Sequence, residues 1–255
     1  MDDYRVQVRL IPAALLATLL TSPAPAAGAG LLTVCEDVPD PLTLDPQREL
    51  SEKNHPIVPQ IFEGFVRFGP AGEIEPALAV GWRQLDDRTM QFKLRPGVRF
   101  HNGEPFTAES VKFSIDRYLD PATGFPALGF ISVLERADVV DDETVNIVTK
   151  YPDGLLLNRL AGFIVFVPPR YYRESDLETL KEKPVGTGPF RFRGWTRGRS
   201  IELEAFDGYW RKGFPKLDRL VFRFLPAERQ VDEFLAGGLD LLTSLPGTRT
   251  LDASR

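Results

Sequence analysis

The chain has 255 residues, with 31 lysines and arginines against 36 aspartates and glutamates and a formal net charge of −5. Its 43% hydrophobic and 26% charged residues are those of a soluble globular chain, long enough for one large domain or two ordinary ones. The acidic balance argues against nucleic acid or an anionic membrane as a general partner, and the single cysteine, Cys35, excludes an intrachain disulfide.

Residues 1–29 read as a secretory leader. Arg5 and Arg9 precede an apolar run from Leu10 to Leu20, and a small-residue tail closes on the A-x-A ending at Ala29. The expected location is therefore the periplasm. Thr33 and Val34 stand where a lipobox would need small residues, so Cys35 is expected as a buried strand cysteine and not as a lipid anchor.

Past the leader, Leu31 to Cys35 predicts a short apolar strand, followed by a loop rich in aspartate and proline as far as Pro46. Ile57, Ile61 and Phe65 recur at helical spacing and predict a helix from about Pro56. Val66-Arg67-Phe68 is extended, and Glu73 to Trp82 is expected to hold a short helix packed by Leu78 and Trp82.

The stretch from Phe92 to Ser114 fixes the most structure. Met90, Phe92 and Leu94 alternate with Gln91, Lys93 and Arg95, the period of a strand buried on one face. Pro96-Gly97 turns the chain, Val98 and Phe100 point one way, and His101-Asn102-Gly103 turns it again. Thr107 then caps a helix whose Val111, Ile115 and Leu119 repeat at helical spacing. Beyond it, Ala137–Val140 and Thr144–Lys150 read as a hairpin closed by Asp141-Asp142. Leu155 to Leu160 is helical, and Phe163 to Val167 predicts a buried strand stopped by Pro168-Pro169.

Phe190 and Phe192 alternate with Arg191 and Arg193, while Ile201, Leu203 and Ala205 alternate with Glu202 and Glu204. Paired, these strands would set arginines against glutamates in a solvated ladder, which neutralises an apparent anion patch. Leu220–Leu225 predicts a strand, Ala227–Ala236 a helix with Val231, Phe234 and Leu235 inward, and Leu239–Leu242 a last strand. Strands followed by helices indicate an α/β sheet.

The order Phe92 to Ser114, L-R-P-G-V-R-F-H-N-G-E-P-F-T-A-E-S within it, resembles the extracytoplasmic solute-binding proteins of family 5, receptors of ABC importers for peptides and nickel. Leu44-Asp45-Pro46, Phe62-Glu63-Gly64-Phe65, Pro76-Ala77-Leu78-Ala79, Gly186-Thr187-Gly188-Pro189 and Asp207-Gly208-Tyr209-Trp210 are similar to that family's landmarks, in its order. Asn102 and Ser110 depart from it, each standing where the family usually has aspartate.

This resemblance implies a type II periplasmic-binding-protein-like α/β fold. A mixed sheet of lobe one, from residues 30–75 and 185–255, would carry an inserted α+β domain over 76–184. It implies the N-terminal half of a receptor, with the second lobe absent. It also implies a non-enzymatic importer component that captures peptides in a cleft and delivers them to ABC permease subunits in the membrane. Nickel-chelate, opine or oligosaccharide is the alternative solute, and a separately encoded second lobe would be a further partner.

The loop from Gln47 to His55 lies between a strand end and a helix start, where open α/β sheets receive ligands. By resemblance, Leu50, Ser51 and Glu52 line the cleft, and Thr243 and Ser244 offer hydrogen bonds to an extended ligand in the manner of strand addition. Catalytic signals are sparse. The two histidines, His55 and His101, have no ligand partner at metal-binding spacing, so no metal or cofactor is expected. A glycine-loop reading of Gly186-Thr187-Gly188 fails because Pro189 removes an amide donor and a strand follows. The alternative from another class is a secreted hydrolase using Asp37, Asp40, Glu49 and Glu52 of one acidic loop.

Overall fold

A computed structural model describes residues 30–35, 40–51 and 56–243. The expected leader, Asp37, Glu52, His55 and Ser244 lie outside the described residues. The chain enters through β1 (Leu31–Cys35) and makes one turn of helix, α1 (Val58–Ile61). The expected helix through Phe65 stops here: Phe62 is already extended. Tertiary pairing overrides the periodicity, because the Glu63 carbonyl accepts from Phe166 N–H at 3.0 Å and the Gly64 carbonyl from Leu78 N–H at 3.1 Å. A Cβ on Gly64 would sit 2.3 Å from the Ile164 carbonyl oxygen, so only glycine permits this approach.

A small hairpin follows, β2 (Val66–Phe68) and β3 (Ile74–Pro76), and then β4 (Ala79–Asp86) and β5 (Thr89–Leu94). The short helix expected over Glu73–Trp82 is thus replaced by strands. Trp82 pairs with Phe92 and Ala79 with Leu94, so cross-strand partners far along the chain decide this segment. Next comes α2 (Ala108–Leu119), whose Ser110 Oγ accepts from Thr107 N–H at 3.3 Å. The short α3 (Leu128–Ile131) leads into the expected hairpin of β6 (Leu134–Asp141) and β7 (Thr144–Thr149).

After α4 (Leu156–Phe163), residues 164–168 run extended and largely buried without joining a sheet, where a strand was expected. Side chains and one carbonyl serve their amides: Val165 N–H donates to Tyr118 Oη at 3.2 Å, Phe166 to the Glu63 carbonyl and Val167 to Ser114 Oγ at 3.0 Å. Pro169 opens α5 (Pro169–Glu174), followed by α6 (Leu177–Glu182). The chain then forms β8 (Phe190–Thr196), β9 (Ser200–Ala205), β10 (Arg219–Arg223), α7 (Ala227–Leu235) and β11 (Leu241–Leu242). In α7, Val231 is buried but Leu235 is 61% exposed, contrary to the inward position expected for it.

Two sheets organise these elements. One is mixed, in the order β11-β1-β10-β9-β8, with β1 parallel to both neighbours. The other is antiparallel, in the order β4-β5-β7-β6. Each has its own core. Phe65, Phe92 and Phe166 centre the first core, that of the antiparallel sheet, with Phe65 stacked on Phe92 at 4.2 Å and edge-on to Phe166 at 4.6 Å. Val34, Ile61, Phe62, Ile201 and Phe222 belong to the second, together with Val167, Tyr172 and Leu180 from the 76–184 stretch. Chain crossings between the cores run near residues 62–65 and 166–167.

Candidate functional site

A cavity of about 390 Å³ opens where the two cores meet. Pro46, Glu49 and Leu50 come from the loop after β1, Val58 and Phe62 from α1 and its exit, Arg67 and Phe68 from β2, Phe163 from the end of α4, and Ile164 and Val165 from the extended segment. Pro189 and Tyr209 close it from the mixed-sheet side. Its wall is mainly apolar with a few polar groups, the usual build of a small-solute pocket.

Glu63 is one of three charged residues that line it, with Glu49 and Arg67. It is half-buried, and its carboxylate accepts from Tyr209 Oη at 2.8 Å, Trp210 Nε1 at 2.9 Å and Thr187 Oγ1 at 3.1 Å. Burial raises its pKa above the ordinary carboxylate value, against the lowering effect of those three donors and of nearby Arg67. Burial first, then the facing Glu63 carboxylate, pushes the Tyr209 phenol well up, so Tyr209 stays a neutral donor. Arg95 stacks on the Trp210 ring at 4.0 Å. Two of the sequence landmarks, Gly186-Thr187-Gly188-Pro189 and Asp207-Gly208-Tyr209-Trp210, therefore converge on the carboxylate of a third.

His101 makes a second clasp. Its Nδ1 accepts from Gly186 N–H at 3.3 Å, so its Nε2 carries the proton and donates to the Gly188 carbonyl at 3.0 Å. Burial, with Arg191 adding a smaller push, holds the imidazole down at about 4 against the opposing effect of the Gly188 carbonyl. Gly186 and Gly188 press on α1, where Cβ atoms would lie 2.0 Å from the Ile61 carbonyl oxygen and 2.6 Å from that of Gln60. The glycine loop is spent on packing α1.

The loop carrying Leu50 is held by a third contact. Asp45 is fully buried and receives Arg117 at 2.5 and 3.1 Å, while Arg117 also reaches Gln47 Oε1 at 2.5 Å and lies over the Tyr172 ring at 4.9 Å. Gln47 Nε2 in turn donates to the Ser114 carbonyl at 3.1 Å. These bonds pin residues 45–47 to α2.

The structure places Leu50 in the cavity wall, 39% exposed. Ser51 stands beside it and donates to Glu49 Oε1 at 2.6 Å. Glu52 and Ser244 fall outside the described residues. Thr243 sits at the far end of the mixed sheet, its N–H on the Cys35 carbonyl at 3.3 Å, and is not part of this cavity. The acidic loop is engaged in its own architecture. Asp40 accepts from Trp195 Nε1 at 2.7 Å and Gly198 N–H at 2.9 Å, and Glu49 from Leu42 and Thr43 N–H at 3.0 and 2.9 Å. No cluster of histidine, cysteine and acidic side chains fit for a metal occurs among the described residues. Among them also, no helix is long and apolar enough to cross a membrane. Sequence reasoning named Glu63 and Tyr209 only as landmarks and passed over Arg67; the order of the Phe62-Glu63-Gly64-Phe65 and Asp207-Gly208-Tyr209-Trp210 landmarks was the available signal.

Known proteins match this frame. The family model described as "Bacterial extracellular solute-binding proteins, family 5 Middle" matches residues 73–253. The glutathione-binding protein GsiB of Pectobacterium atrosepticum is 31% identical over 226 residues, covering 88% of this chain and 43% of that protein. Heme-binding protein A of Haemophilus influenzae is 35% identical over 208 residues, covering 72% and 38%. The solved structure of the PBP AgaA with agropinic acid, from A.tumefacien R10, superposes with a TM-score of 0.81 at 30% identity, covering 88% and 45%. The chain thus spans less than half the length of these relatives, and its fold is that of type II periplasmic binding proteins.

Proposed function

This chain belongs to the bacterial extracellular solute-binding proteins of family 5, and we propose that it forms the solute-capturing half of an ABC importer's binding component. It works outside the cytoplasmic membrane, led there by residues 1–29, and hands its solute to permease subunits. Cys35, fully buried at the end of β1, is a structural thiol in this reading and not a lipid anchor. Lobe one comprises residues 30–75 and 185–255, with the inserted domain between them. The observation that carries the proposal is the mainly apolar cavity between the two cores, with Leu50 in its wall and Glu49, Glu63 and Arg67 as its polar points. The chain binds and does not catalyse: the described carboxylates of the acidic loop are committed to loop amides and Trp195.

Peptides are the proposed solute, supported by the relative named for glutathione, which is itself a tripeptide. The structure solved with agropinic acid supports an opine as the second reading. A cavity formed from one side buries only part of a ligand, so affinity of the 255-residue chain is expected to be weak, a Kd on the order of 1 mM. Calorimetric titration with glutathione, dipeptides and agropinic acid tests this. Saturable weak binding that Leu50→Asp abolishes is the expected result; absence of saturation with every compound, or binding indifferent to Leu50→Asp, overturns it.

A further inference from the structure

A second cleft, of about 350 Å³, adjoins the first on the mixed-sheet side. Arg67, Pro189 and Tyr209 line both, so the two clefts share one wall. The far wall of the second consists of Arg211, Phe214 and Lys216. The Arg211 guanidinium lies 4.2 Å from the Phe214 ring centroid and the Lys216 ammonium 5.4 Å from it. One aromatic ring therefore restrains both cations in the cleft. Arg67 is paired with Glu75 at 2.7 Å, whereas neither Arg211 nor Lys216 has a carboxylate within ion-pair distance among the described residues. Two restrained positive charges without counter-ions stand out on a protein of net charge −5. An anionic group placed between them relieves their mutual repulsion and finds donors already oriented.

We infer that this cleft is an anion subsite that takes the carboxylate or phosphate of a small solute whose apolar body occupies the adjoining cavity. The inference rests on the solute-binding reading above and narrows it to amphiphilic anions. Arg211 and Lys216 supply the charge, and Tyr209, whose hydroxyl proton goes to Glu63, forms part of the shared wall.

The test follows backbone amide shifts of the 255-residue chain with three probes: inorganic phosphate, N-acetylphenylalanine and its neutral amide. Phosphate is expected to shift residues 211–217. The acid should bind about tenfold more tightly than the amide, the low end of a charge-assisted hydrogen bond, and should shift residues of both clefts. Arg211→Gln combined with Lys216→Gln should abolish the phosphate response and the acid's advantage while leaving binding of the amide unchanged. Equal binding of acid and amide, with 211–217 silent to phosphate, overturns the subsite and leaves the cavity standing. A phosphate response with no cavity shifts from either aromatic probe upholds the anion contact and overturns its coupling to the cavity. Retention of the chain on phosphatidylglycerol vesicles, lost in the double variant and without preference for acid over amide, assigns the cleft to a lipid headgroup and overturns the solute source.

Discussion

His101 gives the junction a defined response to pH. The unfolded imidazole takes its proton near the ordinary 6.5, the folded one only at about 4, so in that interval unfolding takes up a proton and stability rises with pH. The contribution is complete above pH 6.5 and is lost as pH falls to about 4, on the order of 3 kcal/mol. Glu63 acts in the opposite sense. Its folded carboxyl keeps a proton to higher pH than the unfolded one, so its contribution declines as pH rises through the folded value. His101→Gln is therefore expected to flatten the rise in urea midpoint between pH 4 and 6.5 and to expose the opposite slope of Glu63; an unchanged profile would refute the assignment. The two departures from the family pattern also make sense at this scale. Asn102 receives Glu104 N–H at 3.1 Å and donates to its carboxylate at 2.6 Å, an arrangement in which aspartate would set charge against charge. Ser110 bonds to Thr107 N–H from within a buried turn. Sequence could show that both positions differ; only the facing carboxylate explains the first.

At the level of elements, the ion pair of Asp45 and Arg117 ties the loop before Leu50 to α2. Removing one partner leaves a charge buried alone, so Arg117→Met is expected to cost about 3–5 kcal/mol. Asp45→Asn with Arg117→Met should recover much of that loss; a double-mutant cycle in urea showing no coupling would refute the pairing. Phe65→Ala, which empties the stack on Phe92, is expected to cost a further 3–5 kcal/mol, read by the same denaturation. Elements with strong internal periodicity, such as α2 and the β6–β7 hairpin, were legible because local pattern and tertiary role agree. The segment 73–82 was not, since Leu78 and Trp82 fit a helix or a strand equally and the deciding partner is Phe92. Residues 163–167 look like a strand in sequence, yet side chains of α2 and the Glu63 carbonyl serve their amides in place of a sheet neighbour.

For the whole molecule, three clasps bind the cores: Glu63 with its donors, His101 with the glycine loop, and Asp45 with Arg117. They predict one cooperative unfolding transition. Trp82 lies against the first core and Trp195 against the second, so variants keeping only one of them should report the same midpoint by fluorescence; separated midpoints would show that the cores melt independently. The family and fold class were legible from ordered landmarks because these residues mediate the packing between cores. The cavity was legible only at Leu50, since its other charged and aromatic walls converge from segments over a hundred residues apart. The mixed sheet carries one more consequence. Its outer strand β8 is an edge among the described residues, bearing Arg191 and Arg193 on Glu204 and Glu202 and a register shift between Phe192 and Gly194. Charge and twist together spoil that strand as a template for another chain's backbone, a safeguard against fibrous self-association while many copies of the chain are still folding side by side.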